Sequence, residues 1–257
     1  MDFPLSRSVA PGLRVLDSSP STNSELLALA ADAGIPSFTA VLTLDQTAGR
    51  GRLDRSWVAP RGTALALSVL VRDALASPIA TWLPLLAGLA LAEAVDEVLP
   101  GRIAVKWPND LLIDGLKVCG ILVEVAPGTR DAVIGSGLNL AQSAEQLPVP
   151  TATSLALAGA DVDDAAVDRI VAGYLVRLRG ELERPGPVSR LRERVAARLD
   201  TLGRRVRVAL ADGSDLAGVA TGLDAAGRLE VTTDADAVVA VAVGDVTHVR
   251  PESPAAG

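Results

Sequence analysis

Residues 111–125 read Leu-Leu-Ile-Asp-Gly-Leu-Lys-Val-Cys-Gly-Ile-Leu-Val-Glu-Val. Two apolar runs, Leu111–Ile113 and Leu116–Val125, flank Asp114-Gly115, a dipeptide that tolerates the positive φ of a tight hairpin turn. Pro127-Gly128 turns the chain again, into a further run at Ala132–Leu138. Upstream, Ile103–Trp107 reads as another strand. The middle of the chain is therefore an antiparallel meander. Helical patterns are inserted around it instead of alternating with every strand. That predicts an α+β fold and excludes a doubly wound parallel sheet.

Working toward the N-terminus, Ala64–Val71 alternates, with Leu65, Leu67, Val69 and Val71 on one face of a strand. Phe38–Leu44 reads as a strand as well. Thr22-Asn23-Ser24-Glu25 has the T-x-x-E form of a capping box and opens a short helix ending near Gly34. Ala74–Ala92 holds 19 residues without a charge, near the minimum for a membrane span. Pro78 and Pro84 interrupt it. Leu85, Leu89, Ala92, Val95 and Leu99 keep helical spacing opposite Glu93, Asp96 and Glu97, so the stretch reads as a buried helix from about Trp82 to Leu99. Thr81 is its expected cap, with Pro84 in the first turn.

Toward the C-terminus, helical runs at Asp164–Glu183 and Val188–Leu199 are separated by Pro185-Gly186-Pro187. Beyond Leu202 the pattern changes to short valine-rich runs, from Val206 to Val249, broken by Asp-Gly, Ala-Gly and Gly-Asp turns. Several short strands in so few residues predict a small SH3-like β-barrel. The expected division is 1–200 and 201–257.

Composition narrows the function. The 257 residues are 49% hydrophobic and 21% charged, ordinary for a globular protein. A net charge of −7 opposes wholesale binding to nucleic acid or anionic membrane. One cysteine, Cys119, excludes an internal disulfide, and one histidine, His248, excludes multi-histidine metal sites. Core packing is the expected role of Cys119, and a structural one that of His248. MDFPLSRSVAPG at the start has no apolar signal region, so a cytoplasmic protein is expected.

The rare residues cluster. Of 24 basic residues only Lys106 and Lys117 are lysines, and the three asparagines are Asn23, Asn109 and Asn139. Gly49–Arg61 carries Arg50, Arg52, Arg55 and Arg61 between glycines that let backbone amides approach a ligand. It reads either as a mobile anion-binding loop or as a solvated charged loop. Lys106-Trp107-Pro108-Asn109-Asp110 combines a rigid extended Trp-Pro step with two residues able to hold a hard cation. Lys117 returns to the same sheet region across the hairpin. Glu124 places a carboxylate on an otherwise apolar strand; it reads either as a strand-edge residue facing solvent or as a buried carboxylate that needs a partner. No dinucleotide fingerprint or P-loop is present: Asp54 and Leu140 stand where a third glycine is needed.

These segments carry a resemblance. Ser21-Thr22-Asn23, then Gln46-Thr47-Ala48-Gly49-Arg50-Gly51-Arg52 with Ser56-Trp57, then KWPND at 106–110 with Lys117, GILVE at 120–124 and GSGLN at 135–139 resemble the biotin protein ligase family in order and spacing. The terminal β-module is similar to that family's SH3-like C-terminal domain. The resemblance implies a mixed sheet like that of class II aminoacyl-tRNA synthetases. It implies that biotin and Mg·ATP give biotinyl-5′-AMP, which then modifies one lysine of a biotin carboxyl carrier domain. Ser21, Thr22, Asn23 and Gln46 would meet the biotin head group. Arg50, Gly51 and Arg52 would close over biotin and the adenylate phosphate. Lys117 would contact the biotin carboxylate and phosphoryl oxygens, with Arg52 and Lys117 as the catalytic cations. Trp57 would pack near adenine, Asn109 and Asn139 would lie on the nucleotide side, and Asn109 with Asp110 would hold Mg²⁺.

Asp54 departs from the family's loop, which often has a further glycine there. The first matching segment begins at Ser21, which leaves no room for the DNA-binding helix-turn-helix some members carry, so the monofunctional form is expected. The rival readings are a lipoate or octanoate ligase of the same superfamily, and a non-catalytic biotin-binding regulator.

Overall fold

The computed structural model describes residues 1–53, 55–210, 213–242 and 244–248; Asp54 and Val249 fall outside the described residues. In chain order the first elements are α1 (Pro4–Val9), β1 (Leu13–Leu16), α2 (Thr22–Ala30), β2 (Ala40–Thr43), β3 (Gly49–Arg50), β4 (Ser56–Trp57), β5 (Ala64–Val71) and α3 (Leu83–Val95). The meander follows as β6 (Ile103–Lys106), β7 (Asp110–Ile113), β8 (Leu116–Val125) and β9 (Ala132–Asn139). Next come α4 (Asp164–Glu183), α5 (Val188–Ala196), β10 (Arg205–Ala209), β11 (Asp215–Leu223), β12 (Leu229–Thr232), β13 (Val238–Val241) and β14 (Asp245–His248).

The α+β expectation holds. One seven-stranded sheet runs in the order β1-β2-β5-β9-β8-β7-β6. Its β1–β2 pair is parallel and the others are antiparallel. The alternation in β5 suggests one buried face, yet every residue of the strand is buried. Leu65, Leu67, Val69 and Val71 join the main core with α3, while Leu70 packs with Leu26 and Ala30 of α2 on the other face. Helices thus cover both faces at this point, and no helix is long and apolar enough to cross a membrane among the described residues.

Several local expectations change. Ser21, not Thr22, caps α2, its Oγ accepting from Ser24 N at 3.4 Å. Glu25 does not complete the box; its Oε1 accepts from Ser19 Oγ at 3.3 Å. The T-x-x-E spacing is thus displaced by one residue, which frees Thr22 for other contacts. The helix ends at Ala30, short of Gly34. Thr81 caps nothing, because it lies inside a 3₁₀ turn, Ala80–Trp82, that leads into α3; Pro84 does sit in the first turn. Trp107-Pro108 is not an extended step: its peptide is cis, and residues 107–109 form the turn between β6 and β7.

The terminal module is a five-stranded antiparallel sheet, β13-β12-β11-β10-β14. No pairing joins its edges β13 and β14 among the described residues, so the expected barrel closure is not seen. Its Val206, Val208, Leu229 and Val231 belong to the same apolar cluster as α3 and the large sheet. Two indoles pin the joint: Trp82 Nε1 donates to Ala225 O at 3.0 Å and Trp107 Nε1 to Gly227 O at 3.1 Å. Gly227 has φ +75°, and a Cβ there would sit 3.1 Å from the Trp82 ring.

Candidate active site

The face of the large sheet that carries α2 leaves a cleft of about 1310 Å³. Every residue singled out for the site in the sequence lines it: Ser21, Thr22, Asn23, Gln46, Arg50, Gly51, Arg52, Trp57, Asn109, Asp110, Lys117 and Asn139. One end is polar and buried. Thr22 N, at the start of α2, donates to Gln46 Oε1 at 2.9 Å. Asn23 Nδ2 donates to Glu124 Oε2 at 2.7 Å and to Leu122 O at 3.3 Å. Behind them stands Ser68 of β5, fully buried, with Oγ 2.7 Å from Thr22 Oγ1 and 2.6 Å from Asn23 Oδ1.

The floor is made of glycines. Gly120 and Gly137 face each other across β8 and β9. A Cβ on Gly137 would lie 2.6 Å from the Trp57 indole, and one on Gly120 would lie 3.3 Å from it. The bare backbone therefore makes a slot in which the indole rests on the sheet. Lys117 Nζ sits 5.8 Å from the indole centroid and 2.7 Å from Asp110 Oδ1. The β7–β8 hairpin does bring KWPND and Lys117 together, as the spacing suggested.

The arginine-rich loop crosses this slot. Gly49 pairs with Trp57 and Arg50 with Ser56, forming a short ribbon. A side chain on Gly49 would come within 2.3 Å of Gln46 Nε2, so only glycine fits. Arg50 reaches the polar end, donating to Ser24 Oγ and Glu124 Oε2, each at 3.1 Å. Glu124 thus has the partners its burial requires: Asn23 and Arg50. Arg52 points the other way, donating to Asn109 Oδ1 at 2.8 Å and to Gly244 O at 3.0 Å. Burial lowers the Arg52 pKa from its ordinary value, despite the opposing pull of Asp245 and Asp110. Arg55 forms an ion pair with Asp245. Arg50 and Arg52 are thus held by neighbouring groups, whereas Arg55 and Arg61 remain largely exposed.

Two side chains on the expected nucleotide side are engaged within the protein. Asn139 Nδ2 donates to Thr153 O at 2.9 Å, and its Oδ1 accepts from Gln142 Nε2 at 3.1 Å. Asn109 Nδ2 donates to Ile121 O at 2.7 Å while its Oδ1 accepts from Arg52. With Asn109 Oδ1 so engaged and Asp110 held by Lys117, these two residues do not make a pre-formed pair of metal ligands. No group of three His, Cys, Asp or Glu suited to a metal occurs among the described residues.

Sequence reasoning missed Ser68, a lone hydroxyl in an apolar strand, and the contribution of the terminal sheet. Asp245 and His248 of β14 line the same cleft, with Asp200 beside them. His248 Nδ1 is 3.5 Å from Asp200 Oδ2. Burial and the nearby Lys106 hold the His248 pKa below its ordinary value, against the pull of Asp200. Cys119 is buried in the core, and burial pushes its thiol pKa up, so it stays protonated.

The family model described as the biotin/lipoate A/B protein ligase family matches residues 15–140, and that of the biotin protein ligase C-terminal domain matches residues 201–249. A Mycobacterium tuberculosis protein named biotin–acetyl-CoA-carboxylase ligase is 38% identical over 244 residues, 93% of this chain and 89% of that protein. A Paracoccus denitrificans protein of the same name is 33% identical, over 81% of this chain and 89% of its own length. The structure of a biotin protein ligase from Aquifex aeolicus in complex with biotin and ATP superposes with a TM-score of 0.75. At 23% identity, over 93% of this chain and 99% of that one, it speaks for the fold. The two family models and these relatives place the chain among ligases of the biotin/lipoate class. The chain belongs to the biotin protein ligase family.

Proposed function

We propose that the chain is an ATP-dependent biotin–protein ligase acting in two steps. In the first, a biotin carboxylate oxygen attacks the α-phosphorus of Mg·ATP; the bond to the β-phosphate bridge breaks and pyrophosphate leaves, giving biotinyl-5′-AMP. In the second, a lysine amine of a biotin carboxyl carrier domain attacks the acyl carbon, loses a proton and displaces AMP. The relatives' names favour the carrier of acetyl-CoA carboxylase as acceptor. We place the reaction in the cytoplasm, where ATP and a carboxylase acceptor would both be at hand.

The observation that carries this reading is a single cleft with a buried polar end at Thr22, Asn23 and Gln46 and two cations, Lys117 and Arg52, further along. Joining a carboxylate to a phosphate brings two anions together, and fixed cations offset that repulsion where charge concentrates. No histidine base is required, because a carboxylate is already ionised at pH 7. We assign the biotin head group to Ser21, Thr22, Asn23 and Gln46, its tail to the cleft alongside, and the adenine to the Trp57 indole that rests on the glycine floor. Lys117 and Arg52 meet the carboxylate and α-phosphate, and Arg50 and Gly51 hold the loop over them. The adenine end falls toward Asn109 and Asn139, whose side chains shape the wall through Arg52, Thr153 and Gln142. Magnesium enters with the nucleotide as part of that substrate.

The test is pyrophosphate release from Mg·ATP by the purified chain, with biotin, lipoate and octanoate in parallel. Release with biotin alone is expected. Release with lipoate or octanoate would overturn the substrate, and biotin binding without release would favour a non-catalytic binder.

A further inference from the structure

Ser68 interrupts an otherwise apolar strand, is fully buried, and touches both Thr22 and Asn23. A hydroxyl has one proton to give and two lone pairs to offer. The orientation of Asn23 is settled at its far end. Its Nδ2 faces two acceptors, Glu124 Oε2 and Leu122 O, so its Oδ1 is the atom 2.6 Å from Ser68. An amide oxygen cannot donate, so the Ser68 proton goes to Asn23. Thr22 Oγ1, 2.7 Å from Ser68 Oγ, must then donate its own proton to Ser68, since two bare lone pairs at that distance repel. The rival acceptor for that proton, Gln46 Oε1, is 3.3 Å away and already takes the Thr22 backbone N–H at 2.9 Å.

We propose that Ser68 is the positioning residue that sets the hydrogen-bond polarity of the cleft's closed end, making Thr22 a pure acceptor matched to a ligand N–H. The inference rests on the biotin reading above and deepens it. Biotin's cyclic urea carries N–H donors, whereas the dithiolane of lipoate and the alkyl chain of octanoate carry none. A ligand without N–H leaves a buried acceptor unpaired, and unpaired buried polar groups discriminate far more sharply than a lost apolar contact. Ser68 therefore selects the substrate without touching it.

The experiment uses the full chain and biotin-dependent pyrophosphate release, with biotin affinity measured separately by calorimetry. Ser68→Ala should raise the biotin KM about tenfold, the loss of roughly one well-formed hydrogen bond, while kcat and the ATP KM stay within about twofold. Ser68→Cys keeps a donor-bearing branch of the same shape, slightly larger and weakly donating, and should behave the same way; it decides the matter if the alanine variant does not fold. In a Thr22→Val background the further effect of Ser68→Ala should shrink to at most about threefold, because the partner is gone. An unchanged biotin KM in both variants of an active enzyme, or an equal effect of Ser68→Ala in both backgrounds, overturns the inference and leaves the ligase reading standing. A wild-type chain that neither binds biotin nor releases pyrophosphate sinks both together.

Discussion

Lys117 lies between a carboxylate, 2.7 Å away, and the face of an indole. Asp110 keeps the ammonium in place, and an incoming anion can share it. Arg would not substitute well, since the slot accommodates a compact charge rather than a planar fork. Lys117→Gln should lower kcat for biotin-dependent pyrophosphate release about 100-fold, the cost of removing one fixed charge from a developing anion. The variant also leaves Asp110, 19% exposed, without its ion-pair partner, so the melting temperature should fall modestly as well. A substitution at the floor acts by sterics instead. Gly137→Ala would drive a methyl group to 2.6 Å from the Trp57 ring. We expect the indole to lift and the ATP KM to rise about tenfold, equivalent to about 1.4 kcal/mol of binding. An unaltered ATP KM in the Gly137→Ala enzyme would show that the indole does not need its seat.

Among elements, the link between α2 and the sheet is the most exposed to failure. Arg72, just beyond β5, donates to Ala30 O, Asp32 O and Ile35 O at the end of α2, and pairs with Asp131 at 2.6 Å before β9. A cation there also opposes the negative end of the helix. Arg72→Leu should destabilise the fold by about 3 kcal/mol, because a nearly buried carboxylate loses its partner. Urea unfolding should show a lower midpoint at an unchanged slope; a midpoint within error of wild type would refute this. The same region shows what the sequence does and does not reveal. The hairpin at Asp114-Gly115 and the bounds of β5, β8 and α4 are legible because turn chemistry and apolar periodicity act locally. The T-x-x-E spacing to Glu25 points to Thr22 as the cap of α2, yet Ser21 takes that place while Thr22 is engaged by the distant Gln46 and Ser68. Ser68 itself gave no local signal, and Trp107-Pro108 gave a misleading one. Long-range partners settle each of these. The candidate site residues stand out in the sequence as clustered rare residues and by family resemblance, but their partners do not: Arg50 to Glu124, Arg52 to Gly244, Asn139 to Thr153.

At the scale of the whole molecule, the terminal sheet is part of the cleft wall rather than an appendage. Arg52 and Arg55 bind Gly244 and Asp245, and His248 stands beside Asp200 at the same rim. His248 is held neutral by burial and by Lys106, with a pKa below the ordinary 6.5. In the unfolded chain it takes a proton as pH falls through about 6.5, while the folded protein resists doing so. Stability should therefore be level above pH 7 and decline as pH drops from 6.5 toward the lower folded value. His248→Gln should flatten that decline, as read from thermal unfolding at a series of pH values; an equally steep decline in the variant would exclude His248 as its source.

The placement of the three tryptophans has a practical corollary. Trp82 and Trp107 are sealed in the joint, each with its indole N–H bonded to a carbonyl, and their surroundings do not change unless the two sheets part. Trp57 alone borders the cleft, half-covered and resting on glycine. The emission of the natural chain is thus a constant background plus one responsive fluorophore. A titration with biotin reads out loop and slot directly, while a red shift of the background signals separation of the sheets, so one unlabelled sample distinguishes binding from unfolding.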